Sequence, residues 1–325
     1  MKAVVIRAPG GPDVLELAEV PEREPAPGEV RVVVKASAVN RADLMQRRGA
    51  YPAPTGWPQD VPGLEYAGVV ESLGAGVESL AVGDRVMGLV GGGGYAEYVV
   101  VHEREALRVP DRLSFEEAAA VPEAFITAHD ALFTRLGLAS GEWLLIHAVG
   151  SGVGTAALQL ARAASARVVG TSRSEWKLER ATSQYGLDVP VDASDGFAEA
   201  VRNATAGGVD AILDLVGGAY LADNLRVLRT LGRQVVVGLT SGRSAELDMG
   251  LLLSMRLTLV GTALRSRPLE EKIAATRLFA RQALPLLADG RVRPVVHETL
   301  PMGRAGDAHQ LLEHNRTFGK VVLAW

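Results

Sequence analysis

The sequence of 325 residues lacks three features, and each absence narrows the function. There is no cysteine, which excludes disulfide bonds, thiolate catalysis and any zinc site with a cysteine ligand. There is no large excess of either charge, because 34 basic and 38 acidic residues leave a net charge of −4. This small net charge disfavours nucleic acid as a partner. There is no apolar run of about 20 residues and no signal-peptide core after Met1, which predicts no membrane span and a cytoplasmic location.

What is present is the composition of an ordinary globular protein, with 48% hydrophobic and 22% charged residues in a chain long enough for two domains. The first hundred residues contain short β segments at 1–7, 30–38, 68–73 and 95–101, separated by Pro and Gly. This pattern predicts a mainly β domain. Ser114, followed by Glu116 and Glu117, has the pattern of a helix start, and a second domain is expected to begin near it.

After residue 143, strand-like and helix-like segments alternate, which predicts an α/β fold with a doubly wound parallel sheet. The predicted strands are 144–148, 167–171, 211–216, 234–239 and 257–263, and the predicted helices are 155–164, 175–185 and 220–231. A long helix after residue 265 and a terminal strand at 319–323 indicate a return to the first domain. We therefore expect one domain at 1–121 with 266–325, and the other at 122–265.

A glycine-rich turn follows the strand 144–148. It consists of Gly150, Ser151, Gly152, Val153 and Gly154 and leads into a helix. Backbone N–H groups in such a turn can approach a pyrophosphate, and the helix dipole favours the negative charge. The spacing is not a literal GxGxxG, so a tight packing turn is the alternative. The strand before it and the helix after it favour dinucleotide binding.

The next strand ends in Ser172, Arg173 and Ser174, where an NAD enzyme carries an acid for the ribose 2′-hydroxyl. No acid is present. Arg173, with Lys177 one turn into the next helix, would suit a 2′-phosphate, which Arg can hold in bidentate fashion. NADPH is therefore predicted in preference to NADH. The alternative is that both are solvated surface charges.

Several segments together give the chain a resemblance to the medium-chain dehydrogenase/reductase superfamily and, within it, to the quinone oxidoreductases, especially the tumour-suppressor-inducible type. They are residues 40–52 (NRADLMQRRGAYP), 63–68 (GLEYAG), 82–86 (VGDRV), 147–160 (HAVGSGVGTAALQL) and 264–268 (LRSRP). The resemblance covers essentially the whole chain. It implies a Rossmann dinucleotide-binding domain plus a mainly β GroES-like catalytic domain.

The resemblance also bears on metal. Zinc-dependent alcohol dehydrogenases of this superfamily bind their catalytic metal with Cys, His and Cys at positions that match Asn40, Leu64 and Glu123 here. Only Glu65 beside them could still touch a metal, and one carboxylate cannot supply the three protein ligands of a catalytic zinc. No metal site and zinc-independent hydride transfer are expected.

By the same resemblance, Asn40 would lie near the nicotinamide, Thr127 would lie against its ring or carboxamide, and Tyr51 would meet the substrate. The other cofactor contacts are expected from Val216, Gly238, Leu239, Ala263, Leu264, Asn315 and Lys320. For each of these residues the alternative is a packing or turn role. Asn40, Tyr51 and Thr127 are the expected catalytic residues.

The expected reaction is hydride transfer from NADPH to a quinone or another conjugated carbonyl, with positioning as the main source of rate. The product oxygen could take its proton from solvent or from Tyr51, and Asn40 could donate a hydrogen bond to the developing oxyanion. Two alternatives remain open: an NADPH-dependent enoyl or enone reductase, and a non-catalytic NADPH-binding protein. The resemblance further implies a homodimer paired through the strand 257–263.

Overall fold

The computed structural model describes residues 1–325, and these residues form two compact units. Unit 1 contains Met1–Ile126 and Leu264–Trp325, and unit 2 contains Thr127–Ala263. The predicted division into a substrate domain (1–121 with 266–325) and a dinucleotide-binding domain (122–265) remains a prediction as an assignment of function. None of the helices combines the length and the apolar character needed to cross a lipid bilayer.

The strands and helices are numbered in chain order. The strands are β1 (Lys2–Ile6), β2 (Leu15–Glu19), β3 (Glu29–Ala38), β4 (Glu65–Leu73), β5 (Arg85–Leu89), β6 (Tyr98–His102), β7 (Leu107–Arg108), β8 (Trp143–Ile146), β9 (Arg167–Ser172), β10 (Val189–Asp192), β11 (Val209–Asp214), β12 (Leu228–Val236), β13 (Thr258–Gly261), β14 (Val296–Pro301) and β15 (Lys320–Ala324). The α-helices are α1 (Arg41–Arg47), α2 (Phe115–Ala119), α3 (Thr127–His129), α4 (Gly152–Ala163), α5 (Glu175–Tyr185), α6 (Ala198–Ala204), α7 (Leu221–Val227), α8 (Met249–Ser254), α9 (Leu269–Gln282), α10 (Leu284–Ala288) and α11 (Ala305–Glu313). Wide π-type turns at Pro122–Ile126 and Asp130–Arg135 flank α3.

Unit 1 is built on a mainly antiparallel sheet in the order β14-β15-β3-β4-β5-β7, with β6 also paired to β3. Alternate residues of β3 point to one face, so Val30, Val32 and Val34 are buried together. Each fully buried valine contributes about 1.5–3 kcal/mol of hydrophobic stabilisation. Strand β15 pairs with β3, where Val322 lies opposite Ala38, so the end of the chain returns to the first sheet as predicted.

Unit 2 is built on a six-stranded parallel sheet in the order β10-β9-β8-β11-β12-β13. This is the strand order of the Rossmann fold, and the direction of strand addition reverses between β8 and β11. The predicted doubly wound parallel sheet is therefore confirmed. In such sheets ligands bind outside the carboxyl ends of the strands at the reversal point, and β8 ends there at Ile146, directly before the glycine-rich turn.

Some predicted boundaries in unit 2 are wrong. The helix predicted at 220–231 ends at Val227, because Leu228 begins β12 by pairing with Val209 of β11. The pairing register then shifts before Ala211, so β12 begins well before the predicted 234. Strand β10 and helix α6 were not predicted. Strand β10 contains Pro190, which weakens a strand pattern, and helix α6 buries only Val201.

The predicted helix start at Ser114 is confirmed. The Ser114 hydroxyl accepts a hydrogen bond from the Glu117 N–H at 3.2 Å, and the Glu117 carboxylate accepts one from the Ser114 N–H at 3.0 Å. This reciprocal pair is a capping box, which satisfies two backbone donors that the helix cannot pair internally.

Candidate functional site

The glycine-rich turn of unit 2 has the local geometry of an anion cradle. Ser151 caps helix α4, and its hydroxyl accepts a hydrogen bond from the Gly154 N–H at 3.0 Å. Gly152 and Val153 open the helix, and the first N–H groups of a helix have no partner within it. These donors and the helix dipole favour a phosphate at this point.

Gly154 has a different role in the same turn. A Cβ atom at this position would lie 2.5 Å from the Ala148 carbonyl oxygen and 2.7 Å from the Val149 carbonyl oxygen. No side chain can be placed there without moving backbone, so Gly154 allows helix α4 to pack close to the end of β8. The packing-turn alternative therefore applies to this glycine, whereas the N–H groups of Gly152 and Val153 remain suited to a ligand.

At the carboxyl end of β9, the Ser172 hydroxyl accepts a hydrogen bond from the Ser174 N–H at 3.1 Å. The Arg173 side chain is exposed and makes no ion pair with a carboxylate. Lys177 lies in the first turn of α5, where its ammonium is 5.4 Å from the centre of the Trp176 ring. The end of this strand thus presents cationic side chains and hydroxyls, but no acid.

Tyr220 is a residue of this region that sequence reasoning missed. Burial raises the pKa of its hydroxyl, and the positive charge of Arg173 opposes that rise, which places the hydroxyl within electrostatic range of the guanidinium. Its ring packs against His147 and Phe197. The preceding pair Gly217-Gly218 was the available signal, because a glycine turn at the end of a strand lets the chain reach back over the sheet.

The end of β11 is organised by Asp214. Its Oδ1 accepts hydrogen bonds from the N–H groups of Val216 and Gly217 at 2.8 and 2.9 Å. Its Oδ2 accepts from the side-chain amides of Gln234 and Asn224 at 2.9 and 3.2 Å. Because both carboxylate oxygens are occupied, the backbone at Val216, a predicted cofactor contact, is held in one conformation.

His147 extends this network towards the glycine-rich turn. Its Nε2 lies 2.7 Å from Asn224 Oδ1, and its Nδ1 lies 2.9 Å from the Thr171 hydroxyl. Since Asn224 Oδ1 can only accept, the ring donates from Nε2 and accepts at Nδ1, which is the neutral form. Burial lowers the pKa of His147 to about 4. His147 is therefore a structural residue.

Thr127 is buried, and its hydroxyl oxygen has no hydrogen-bond partner in the protein. An unpaired buried hydroxyl is costly and calls for a partner from outside the chain. A nicotinamide carboxamide has the donors and acceptors to supply one. This orphaned hydroxyl and the anion cradle at Gly152 fit a dinucleotide in unit 2.

Further predicted cofactor contacts lie in the segments that follow strands β12 and β13. A Cβ atom on Gly238 would lie 2.4 Å from the Leu215 carbonyl oxygen, so this glycine permits close backbone packing next to Val216. Leu239 follows it and is exposed, and Ala263 is the last residue of unit 2. Leu264, which begins the second part of unit 1, is buried.

Unit 1 contains a group of polar side chains that we call the polar cluster. Its members are Asn40, Asp43, Tyr51, Glu65, Glu123, Arg265 and Lys320. Sequence reasoning expected three of them as contacts, noted two more at or beside the matched metal positions, and missed Asp43 and Arg265. Asp43 stands three residues after Asn40, the spacing of a capping box, and this signal could have identified it.

Lys320 is at the centre of the polar cluster. Its ammonium lies 2.8 Å from Glu65 Oε1 and 3.1 Å from the Val39 carbonyl oxygen, and it also donates to Asn40 Oδ1. An ammonium has three hydrogens, and each has an acceptor here. Contact between this ammonium and a cofactor would require one of these bonds to break, so Lys320 is better described as holding Asn40 and Glu65 in place.

The amide of Asn40 is equally committed. Its Nδ2 donates to the Ala38 carbonyl oxygen at 3.0 Å and to Glu65 Oε1 at 2.9 Å, while its Oδ1 accepts from Lys320. Both amide hydrogens are therefore used. The expected hydrogen bond from Asn40 to a developing oxyanion is not available in this arrangement, because a planar amide has only two hydrogens to donate.

Asp43 holds two backbone segments together beneath Asn40. Its carboxylate accepts hydrogen bonds from the Asn40 N–H at 2.8 Å and the Gly63 N–H at 3.1 Å. The Tyr95 hydroxyl donates to the same carboxylate at 3.2 Å. Burial raises the pKa of Asp43 to about 6, although the backbone hydrogen bonds and Lys320 oppose the rise.

Tyr51 lies at the edge of the polar cluster, half-buried. The Arg265 guanidinium is stacked 4.9 Å from the centre of its ring and donates to the carbonyl oxygens of Gly91 and Tyr51. The ring is thus held by a cation–π contact. The Tyr51 hydroxyl makes no hydrogen bond within the protein, and burial raises its pKa, with Arg265 opposing and Glu123 adding to the rise.

Glu123 is attached to the polar cluster through its backbone. Its N–H donates to Glu65 Oε2 at 2.8 Å, so Glu65 is satisfied at both oxygens. The Glu123 carboxyl group accepts no hydrogen bond and makes no ion pair. Burial, followed by the nearby charge of Glu65, raises the pKa of Glu123 to about 8.

Asn315 lies on the exposed turn after α11. Its φ of 54° lies in the left-handed region that Asn tolerates better than most residues. Its Oδ1 accepts a hydrogen bond from Arg41 of helix α1. Its expected contact with a cofactor remains a prediction.

The residues at the matched metal positions do not fit zinc. No group of three or more His, Asp or Glu side chains is arranged to hold a metal ion. Asn40 Oδ1 and Glu65 Oε1 are bound to the Lys320 ammonium, Glu65 Oε2 accepts from the Glu123 N–H, and Leu64 has no ligand atom in its side chain. Glu123 alone cannot complete a tetrahedral site.

Two protein families match the chain. Residues 26–111 match the family described as alcohol dehydrogenase GroES-like domain. Residues 152–281 match the family described as zinc-binding dehydrogenase. The first match lies in unit 1, and it supports the predicted mainly β GroES-like domain.

Full-length similarity includes a polyketide synthase and a quinone oxidoreductase. The chain is 33% identical over 98% of its length to polyketide synthase GfsB of Streptomyces halstedii, but it spans only 6% of that protein. It is 31% identical over 99% of its length to quinone oxidoreductase of Lama guanicoe, of which it covers 97%.

Solved structures show the same fold across the whole chain. Escherichia coli quinone oxidoreductase complexed with NADPH is 27% identical, covers 100% of both chains and has a TM-score of 0.88. An NAD-dependent alcohol dehydrogenase is 37% identical, also covers 100% of both chains and has a TM-score of 0.89. These two neighbours are described with different nicotinamide cofactors, and the overall similarity is compatible with either.

Proposed function

Because the chain belongs to the medium-chain dehydrogenase/reductase superfamily, in its quinone oxidoreductase branch, we propose that it is an NADPH-dependent reductase of quinones or similar conjugated carbonyls. The observation that carries the cofactor choice is the end of β9. It presents Ser172 and Arg173 where an NAD enzyme carries an acid, and Arg173 has no carboxylate partner. A guanidinium so placed is suited to a 2′-phosphate.

The residues of unit 2 bind and orient the cofactor, which supplies a hydride when bound. The N–H groups of Gly152 and Val153 receive the pyrophosphate, and the network around Asp214 fixes the backbone at Val216. The Thr127 hydroxyl finds its missing hydrogen-bond partner on the nicotinamide. Each of these groups is already in position in the free protein, so little ordering free energy is lost on binding.

The residues of unit 1 supply the polar groups for the acceptor. Asn40 and Glu65 are tied down by Lys320, so the exposed part of the polar cluster keeps a fixed shape. Tyr51 presents a ring held by Arg265 and a hydroxyl without a protein partner. A planar conjugated acceptor can stack on such a ring and accept from such a hydroxyl.

A second candidate is reduction of the carbon–carbon double bond of an enone or enoyl thioester. The observation that favours it is the similarity to segments of polyketide synthases, with 33% identity to GfsB. Polyketide chains are built as acyl thioesters, and an enoyl thioester is also a conjugated carbonyl. Hydride transfer to its β-carbon makes the same demands on the protein as transfer to a quinone.

The proposal is tested by titrating the purified protein with NADPH and with NADH, and then measuring NADPH oxidation with 1,4-benzoquinone, 9,10-phenanthrenequinone and a 2-enal. Tight NADPH binding with quinone-dependent oxidation that chelators do not inhibit is the expected result. Activity with the 2-enal alone would favour the second candidate. NADPH binding with no turnover on any acceptor would indicate a non-catalytic NADPH-binding protein, and an NADH preference would contradict the role of Arg173.

We also propose that the protein forms a homodimer through β13. This strand is at the edge of its sheet and is paired on one side only, which leaves backbone donors and acceptors open to a second copy. Nearby Leu253 is 80% exposed. Analytical ultracentrifugation at micromolar concentration measures the association directly, and a monomer throughout would contradict it.

A further inference from the structure

We propose that Glu123 is the acid that gives a proton to the oxygen atom left anionic when the acceptor has received its hydride. This assignment rests on the proposed reductase function. Glu123 then takes the role of proton donor in place of solvent or Tyr51. Its accessibility, its lack of a hydrogen-bond partner and the charges around it support this role.

The members of the polar cluster differ in their exposure to solvent. Asp43 and Glu65 are completely buried, and Lys320 is 4% exposed. Asn40, Tyr51 and Glu123 are the members with intermediate exposure, so these three reach the surface of the polar cluster. A substrate can exchange a proton directly with these side chains only.

Of the three partly exposed side chains, two have a hydrogen that is not already bound within the protein. Both amide hydrogens of Asn40 are bound, to Ala38 and Glu65, and an amide is not an acid near neutral pH. The Tyr51 hydroxyl and the Glu123 carboxyl have no partner in the protein. They are the two remaining candidates for a proton donor.

The charges around Glu123 favour its protonated form. The buried part of the polar cluster holds two carboxylates, Asp43 and Glu65, and two cations. Lys320 forms an ion pair with Glu65, and both Lys320 and Arg265 interact electrostatically with Asp43. These four charges sum to zero. A third carboxylate at Glu123 would leave a net negative charge in a poorly solvated place, so the neutral acid is favoured.

The surroundings of Glu123 agree with this. Glu65 and Asp43 raise its pKa, Lys320 and Arg265 lower it, and burial is the largest contribution. Tyr51 is another ionisable group in electrostatic range. Strands β4 and β5 and helix α9 also contact the 122–126 turn, and besides Glu65 their ionisable side chains are Tyr66, Glu71, Arg85, Glu270, Glu271, Lys272, Arg277 and Arg281. The resulting pKa of about 8 is close to working pH, which is the favourable value for a general acid. The pKa of Tyr51 is raised above its ordinary value of 10, so Tyr51 is the weaker acid.

The backbone fixes the position of the acid. The Glu123 N–H is bonded to Glu65 Oε2, and Glu65 is itself fixed by Lys320. The turn Pro122–Ile126 is a wide π-type turn, a local feature that is frequent at functional sites. Glu65 and Lys320 are therefore positioning residues for Glu123.

The proton balance is simple. Hydride addition leaves a hydroquinone monoanion from a quinone or an enolate from an enone. The O–H bond of the Glu123 carboxyl breaks, an O–H bond forms on the acceptor oxygen, and Glu123 is left as a carboxylate. Because its side chain is partly exposed, solvent returns the proton before the next turnover.

The test uses the full-length protein with Glu123→Gln, Glu123→Asp and Tyr51→Phe, and with Glu78→Gln as a matched control on an exposed loop. The first readout needs no cofactor. In infrared spectra of the free protein, wild type minus E123Q is expected to show the carbonyl stretch of a protonated carboxylic acid at pH 7, which disappears as the pH rises through about 8. A carboxylate already ionised at pH 6 would overturn the proposal.

The second readout is the pH profile of kcat/KM for the acceptor. Wild type, Y51F and E78Q are expected to lose activity as the pH rises through about 8, since the acid must be protonated. E123Q should lose this limb and roughly 10²-fold in rate, with NADPH affinity unchanged, and E123D should restore the limb. If E123Q does not fold, the test is the pH at which kcat/KM of E123D falls, which should differ from that of wild type.

Two further outcomes separate the two proposals. A wild-type rate and pH limb in E123Q would refute the donor role and leave the reductase function standing. Absence of NADPH oxidation by wild type with every quinone and enal would refute the reductase function, and the donor role with it, whatever the infrared titration shows.

Discussion

Lys320 and Glu65 form a buried ion pair: the ammonium nitrogen lies 2.8 Å from Glu65 Oε1, and the two side chains are 5% and 0% exposed. The remaining hydrogens of the ammonium have acceptors on Val39 and Asn40, and Glu65 Oε2 accepts from Glu123. One pair of charges therefore fixes Asn40 and the start of the 122–126 turn together.

Replacing Lys320 with Met should destabilise the protein by about 3–5 kcal/mol, because the substitution leaves the Glu65 carboxylate buried without a countercharge. Urea unfolding followed by circular dichroism measures this change. The double variant Lys320→Met with Glu65→Gln should lose less, since no uncompensated charge remains. Equal losses in the single and the double variant would show that the charge of Glu65 is not the cause.

Thr127→Val should separate stability from binding. The Thr127 hydroxyl is buried without a partner, so an isosteric methyl group should stabilise the free protein by about 1 kcal/mol. If the hydroxyl bonds to the nicotinamide, the same change should weaken NADPH binding by about tenfold. Thermal unfolding and fluorescence titration provide the two numbers. A destabilised variant with unchanged affinity would place the hydroxyl in the fold rather than in the cofactor site.

Arg173→Ala should weaken NADPH binding roughly tenfold to a hundredfold and leave NADH binding unaltered, because only the 2′-phosphate can use the guanidinium in a charge-assisted hydrogen bond. Calorimetric titration with both cofactors measures the effect. Arg281→Ala removes an exposed arginine of helix α9 in unit 1 and serves as the control for net charge. Equal weakening by both substitutions would reduce the role of Arg173 to general electrostatics.

Glu123 makes the stability of the protein depend on pH even without cofactor. Its pKa is raised from 4.5 to about 8 by folding, so the folded state binds more protons than the unfolded state between these values. The contribution of Glu123 to the free energy of unfolding is fully present below pH 4.5 and is lost as the pH rises through about 8. Relative to E123Q, wild type should lose up to about 1.4 kcal/mol per pH unit in this interval. Parallel unfolding curves for both proteins at pH 5, 6, 7 and 8 check this, and a constant difference would show that Glu123 is already ionised in the fold.

The sequence by itself determined the architecture of unit 2. Alternating apolar and helical segments specify a parallel sheet because the short central strands β8, β9 and β11 are buried on both faces, and a capping residue and turn glycines mark the helix ends. Ser151 before Gly152 and the acid-free end of β9 could be identified in the same way, since both are local in sequence. The exceptions were strand β10 and helix α6, which were not predicted, and the helix predicted at 220–231, where pairing of Leu228 with Val209 overrode the local helical pattern.

Only the tertiary structure decided the chemistry of unit 1. Lys320 is 280 residues from Asn40 in the chain, yet the two share a hydrogen bond, and Glu65 meets Glu123 across 58 residues. No local pattern predicts such contacts, because the first arises where β15 pairs with β3 and the second where the 122–126 turn packs against β4. The first contact occupies Asn40, which the sequence offered as a hydrogen-bond donor, and the second involves only the backbone of Glu123, so its carboxyl has no partner. The residue types were readable in the sequence, but which of them keeps a proton to give depended on burial and on charges that the fold assembles.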